Sequence, residues 1–132
     1  MRMDNPLKLV GVINSGGLAD LKASRGVTQR DCLADIYDQL VGDISSTRAE
    51  VLSDTSPAEM LPLKVRQVSF NGHDDSIAPP VLGEGYTRRA KAAGDRADVV
   101  VVLNTGHVEL VSPGTEVWDL ETATMKDMLG LN

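Results

Sequence analysis

Three short runs of apolar, largely β-branched residues constrain this chain more than any other feature, because each gives way to a polar or glycine-containing turn and then to helical spacing. Lys8-Leu9-Val10-Gly11-Val12-Ile13 stops at Asn14-Ser15-Gly16-Gly17, and Val65-Arg66-Gln67-Val68-Ser69-Phe70 stops at Asn71-Gly72. The third run, Ala97 to Leu103, is nearly all valine, as suits a strand covered on both faces.

Between and after these strands lie helices. Leu33, Ile36, Tyr37, Leu40 and Val41 recur at helical spacing over Thr28 to Val41, with Thr28 as N-cap and Gly42 as the terminating glycine. Ser46 to Leu52 reads as a shorter helix, and Pro57 and Pro62 limit the next connection to one helical turn at most. A helix over Pro80 to Ala93 carries Leu82, Tyr86, Ala90 and Ala93 along one face, with Gly94 as cap. Ser112-Pro113 reads as N-cap and N1 of a last helix with Val117, Leu120, Ala123 or Thr124, and Met128 inward, ending at Gly130. Strands alternating with helices imply a parallel sheet with right-handed crossovers, an α/β three-layer sandwich within a single domain over 1–132. Three strands make a thin sheet, and the first of them would present an open edge.

Composition narrows the functions. A formal net charge of -6 and scattered basic residues, clustered only at Arg88, Arg89 and Lys91, argue against nucleic acid as a partner. The longest apolar runs fall far short of a membrane span, and Met1 to Pro6 has no signal-like core, so the expected location is the cytoplasm with no membrane partner. The lone cysteine, Cys32, excludes an intrachain disulfide and fits a small core residue.

In doubly wound sheets reactive groups gather beyond the C-terminal ends of the strands. Asp75 follows the second strand and His107 the third, so parallel neighbours would bring their loops together. A carboxylate bonded to one imidazole nitrogen leaves the other to accept a proton from a nucleophile. The competing structural reading has Asp75 capping a turn and His107 closing a loop.

Ser56 to Pro62, the Gly-x-x-Asp-x-x-x-Pro loop from Gly72 to Pro79, Tyr86, Ala90 to Gly94-Asp95, Gly106-His107, Ser112-Pro113 and Trp118 resemble the last third to half of esterase-type α/β hydrolases. The resemblance spans nearly the whole chain. It implies the C-terminal part of that fold, with Asp75 as triad acid, His107 as base and Asp74 as second choice for the acid. It also implies a Gly-x-Ser-x-Gly elbow ahead of the acid, and none of the nine serines stands in such a pentapeptide. On this reading Leu9 to Leu21 matches the strand after the elbow, and the elbow and earlier strands lie before Met1.

Ser15 is the rival nucleophile, since Ser15, Asp75 and His107 stand in the family's order, but Ile13 occupies the place where an elbow needs a small residue. His73, Asp74, Asp75 and His107 lack a firm metal-ligand spacing, so no metal and no cofactor is expected, and His73 reads as an exposed turn residue. Trp118 reads as packing. A flavodoxin-like or receiver-like domain shares the element order but needs about five strands. The function expected is that of a serine hydrolase segment, inactive alone, that acts on an ester or amide once a serine is supplied. The alternative is a non-catalytic hydrolase relic that self-associates, or binds a partner chain, at its open edge.

Overall fold

The computed structural model describes residues 7–28 and 37–131. Its strands are β1 (Val12–Ser15), β2 (Gln67–Gly72) and β3 (Ala97–Val102), and its helices α1 (Leu21–Thr28), α2 (Tyr37–Val41), α3 (Pro80–Ala92) and α4 (Glu116–Leu129). Single 3-10 turns at Pro57–Glu59 and Glu109–Val111 complete the described elements. The sheet runs β1-β2-β3, parallel throughout, with Val12 opposite Gln67 and Gly72 opposite Val102.

Alternation along β2 sets the layers. Val68 and Phe70 turn to one face and join Val102, Leu110 and Val117 of α4 in the main core, with Ile13, Val100 and Met128 packed against it. Gln67, Ser69 and Asn71 turn to the other, beneath α3. There Tyr86 donates to Gln67 Oε1 at 2.5 Å, and Gln67 Nε2 donates to Asp95 at 3.0 Å. Asp95 also accepts from the Leu63 and Lys64 amides at 2.7 and 2.8 Å, so the Gln67 end of this polar face is paired, while Asn71 Oδ1 and Thr87 Oγ1 are buried on it without a partner. Helix, sheet and helix thus form the α/β three-layer arrangement that the element order implies.

Several boundaries differ from the sequence-based expectation. Only β2 is buried along its whole length; the valine-rich β3 is an edge, with Asp98 exposed and paired to Lys91 at 3.2 Å. A continuous apolar run therefore does not mark the central strand here, since β2 is polar at Gln67, Ser69 and Asn71 and its Gln67 is bonded by Tyr86 of α3 and by Asp95. β1 starts at Val12 instead of Lys8, since its pairing begins where the Val12 amide meets the Arg66 carbonyl at 2.8 Å.

α1 ends at Thr28, and the residues over which the next helix was expected to start lie outside the described residues. The α1 cap is Asp20, whose Oδ1 accepts from the Ala23 amide at 3.0 Å. Leu21 of this helix packs with Tyr37 and Val41 of α2 in a second small core. Cys32, Leu33 and Ile36 lie outside the described residues. Residues 46–52 form turns, not a helix, because Arg48 holds them from within by bonding Asp54 and the carbonyls of Val41 and Val51. The single turn expected near Pro57 is present.

α3 and its Gly94 end lie where periodicity puts them. α4 starts later than expected: Ser112 Oγ bonds back to the Val108 carbonyl at 2.7 Å, and Thr115 is the cap, accepting from the Trp118 amide at 3.3 Å. Thr115→Ala is expected to cost about 1 kcal/mol, measurable as a lower urea midpoint at unchanged slope. Within α4, Leu120 is 39% exposed while Glu121 is 9% exposed, so a glutamate takes the inward place assigned to leucine.

Candidate active site

The loops after β2 and β3 are fastened together before either presents a side chain. A Cβ on Gly72 would overlap the Thr105 carbonyl, a backbone group with no freedom to move aside. The His73 amide donates to the Val102 carbonyl at 2.9 Å, and the Asp74 amide to the Thr105 carbonyl at 3.0 Å. Gly72→Ala is expected to destabilise the chain by about 1–3 kcal/mol and to part the two loops, seen as a lower Tm with displaced His107 ring resonances.

Asp75 is carried by this fastened loop, its side chain fully buried. Oδ1 accepts from the Ile77 and Ala78 amides at 2.8 and 2.9 Å, and Oδ2 lies 2.8 Å from His107 Nδ1. With two backbone donors fixing it, the carboxylate faces the imidazole as an acceptor. Nδ1 therefore carries the proton, which leaves the Nε2 lone pair for other chemistry. The His107 side chain is 38% exposed, enough for a reactant to reach it. Gly106, just before it, is held by Glu109 Oε2 at 3.1 Å.

The end of β1 reaches the same place. Gly16 has φ +60, and a Cβ there would stand 2.6 Å from Leu110 Cδ1 and 3.3 Å from His107 Cε1 and Nδ1. Its amide donates to the Phe70 carbonyl at 2.8 Å. Ser15, next to it, donates its hydroxyl to Glu121 Oε1 at 2.6 Å. Burial pushes the Glu121 carboxyl above the usual carboxylate range, and the Ser15 bond partly offsets this.

Of the residues singled out by sequence, the structure joins Asp75 to His107 and aims the Ser15 hydroxyl at Glu121. Asp74 pairs instead with His73 at 2.7 Å, both more than half exposed, away from the imidazole. Among the described residues, no three His, Cys, Asp or Glu side chains are grouped to hold a metal ion. Arg89 of the basic cluster is engaged by Asp20 at 2.6 Å and Glu59 at 3.0 Å. Trp118 is partly exposed, at the surface of α4. Gly16 falls in the stretch Asn14 to Asp20 that the resemblance would have line the crevice, whereas Glu109 and Glu121 were missed; of these two only Glu121, one place off the apolar stripe of its helix, left a trace in the sequence.

An apolar cavity of about 260 Å³, lined by Val12, Leu18, Pro57, Leu63 and Tyr86 among others, opens beside β1. Neither Asp75 nor His107 borders it.

No family model and no curated protein matches the chain. Solved structures do. Carboxyl esterase 2 from the mycorrhizal fungus Tuber melanosporum superposes with a TM-score of 0.59 at 19% identity, over 92% of this chain and 44% of that one. Esterase 2 of the Planctomycetes species Thermogutta terrifontis gives 0.56 at 15% identity in its native form, over 92% and 42%. The same esterase phosphoramylated by tabun gives 0.57 at 17%, over 92% and 41%. The chain thus spans less than half the length of these esterases, and its parallel sheet with flanking helices has the fold of part of an α/β hydrolase.

Proposed function

We propose that this chain is the C-terminal portion of a serine hydrolase of the esterase type, contributing the acid and base of a Ser-Asp-His triad. The observation that carries the reading is the buried Asp75 carboxylate, fixed by two amides and 2.8 Å from His107 Nδ1. The serine comes from a segment outside these 132 residues or from a partner chain, because Ser15 is committed to Glu121.

His107 Nε2 takes the proton of that serine as its oxygen attacks the acyl carbonyl, and Asp75 stabilises the imidazolium. The proton then passes to the leaving alcohol or amine, and water, activated the same way, releases the acid. The phosphoramylated state of the Thermogutta esterase supports the reading by analogy, since covalent capture of phosphorus marks an activated nucleophile in that protein. The substrate is a small ester or amide; no membrane and no nucleic acid is needed.

Mixing the purified chain with an elbow-bearing fragment and following an activated ester tests this. Turnover by the complex but by neither part supports the proposal; a well-folded complex without turnover sinks it.

A second reading, self-association of a non-catalytic module, is favoured by the unprotected edge of β1. Val12 and Gly16 donate toward β2, so the amides of Ile13 and Ser15 face outward, with no charge or proline on the strand to discourage pairing. Trp118, Met125 and Leu129 lie along one exposed line of α4 beside its inward face. Sedimentation of the chain alone separates the readings: a tight dimer that the elbow fragment fails to dissociate favours the module.

A further inference from the structure

Glu121 is a carboxyl group in a position that packing alone would give to an apolar side chain. Val117 and Met128, on the same face of α4, enter the main core, and Glu121 is buried between them in sequence. Burying a carboxyl is unfavourable unless its bonds secure something. The bond it makes is a short one, 2.6 Å, with the hydroxyl of Ser15 on β1.

β1 needs such an anchor. It is four residues long, pairs on one side only, and follows exposed residues Leu7 to Val10. The residue after Ser15 is Gly16, whose backbone passes so close to the imidazole that a Cβ would touch Nδ1 and Cε1. Gly16 and Asp75 thus both adjoin Nδ1 of the ring, one through the space that its missing Cβ leaves and the other as a hydrogen-bond partner.

We propose that Glu121 is a positioning residue for His107: by holding Ser15 it fixes Gly16 beside the ring, which keeps Nδ1 on Asp75. This rests on the reading of Asp75 and His107 as the catalytic pair. Ser15 then serves as a tether and not as a nucleophile. The imidazole is partly exposed, and Asp75 is the hydrogen-bond partner of its Nδ1.

The test is ¹⁵N and ¹H NMR of the His107 ring in the 132-residue chain, with Glu121→Leu, Glu121→Gln, Ser15→Ala and the Ser15→Ala/Glu121→Leu pair. Wild type should show one tautomer, protonated at Nδ1, with a low-field proton protected by Asp75. Glu121→Leu, which keeps the core filled, should broaden or lose that proton and mix the tautomers while the backbone spectrum stays dispersed. Glu121→Gln should retain it, because its amide oxygen accepts from the same hydroxyl. Ser15→Ala should match Glu121→Leu, and the double variant should be no worse than either.

In the complemented hydrolase the same loss should appear as about 10²-fold in kcat with KM little changed. A folded Glu121→Leu with an unaltered ring signal overturns the inference, as does a Gln variant as disturbed as the Leu variant. Should Glu121→Leu not fold, Ser15→Ala decides alone. A wild-type ring that samples both tautomers without the protected proton overturns the catalytic reading itself, an outcome distinct from a signal that is present and indifferent to Glu121.

Discussion

His107→Ala is expected to lower kcat of the complemented hydrolase by about 10⁶-fold, and Asp75→Asn by about 10⁴-fold. The difference follows from the roles that the site geometry allows. The imidazole would carry the proton in both half-reactions, so its loss removes the base outright. Asparagine at 75 could keep its oxygen on the Ile77 and Ala78 amides while turning its NH₂ toward His107, which would favour the tautomer with its proton on Nε2. The ring would stay in place with its lone pair on the wrong nitrogen. Activated-ester turnover under saturating fragment, with fragment affinity measured separately, is the appropriate assay. Equal losses for the two variants would mean that Asp75 does more than orient, and no loss for His107→Ala would remove it from the mechanism.

The second large effect concerns stability. Phe70→Ala should cost about 3–5 kcal/mol, because the ring is almost completely buried at the centre of the main core, between β1 and β3 and beneath α4. Against a total of roughly 5–15 kcal/mol for a domain of ordinary stability, this leaves the chain near its unfolding threshold. Urea denaturation should show the midpoint falling steeply. A change below about 1 kcal/mol would mean that the face between β2 and α4 is not closely packed in solution.

Much of this architecture was legible because local and tertiary preferences agree in it. The turn glycines, the Pro80 start of α3 and the strand order could be read from residue patterns, and so could the convergence of the loops bearing Asp75 and His107. What escaped was set by contacts distant in sequence. β2 is central although polar at Gln67, Ser69 and Asn71, because Tyr86 and Asp95, well downstream, complete the hydrogen bonding at Gln67. β3 is an edge although nearly all valine, since no periodicity says how many neighbours a strand has. α1 was overlooked because Leu21 is its one large buried apolar residue, and its Asp20 cap is recognisable only once the helix is known. Glu121 stands beside the apolar stripe of α4, and only the approach of Ser15, 106 positions away, gives it a partner.

The short, one-sided pairing of β1 has a consequence for how the molecule opens. β2 is hydrogen-bonded on both sides and buried throughout, so those of its amides that face the β3 side, as Gln67 does toward the Arg96 carbonyl, exchange with solvent only when β2 and β3 part. β1 can detach by breaking one ladder, the Ser15 to Glu121 bond and the packing of Ile13, leaving β2, β3, α3 and α4 standing. Such partial opening would withdraw Gly16 from His107 while Asp75 stayed in its loop. The imidazole environment would then follow a local equilibrium, shallower than global unfolding, that any chain pairing with β1 would shift toward the closed form.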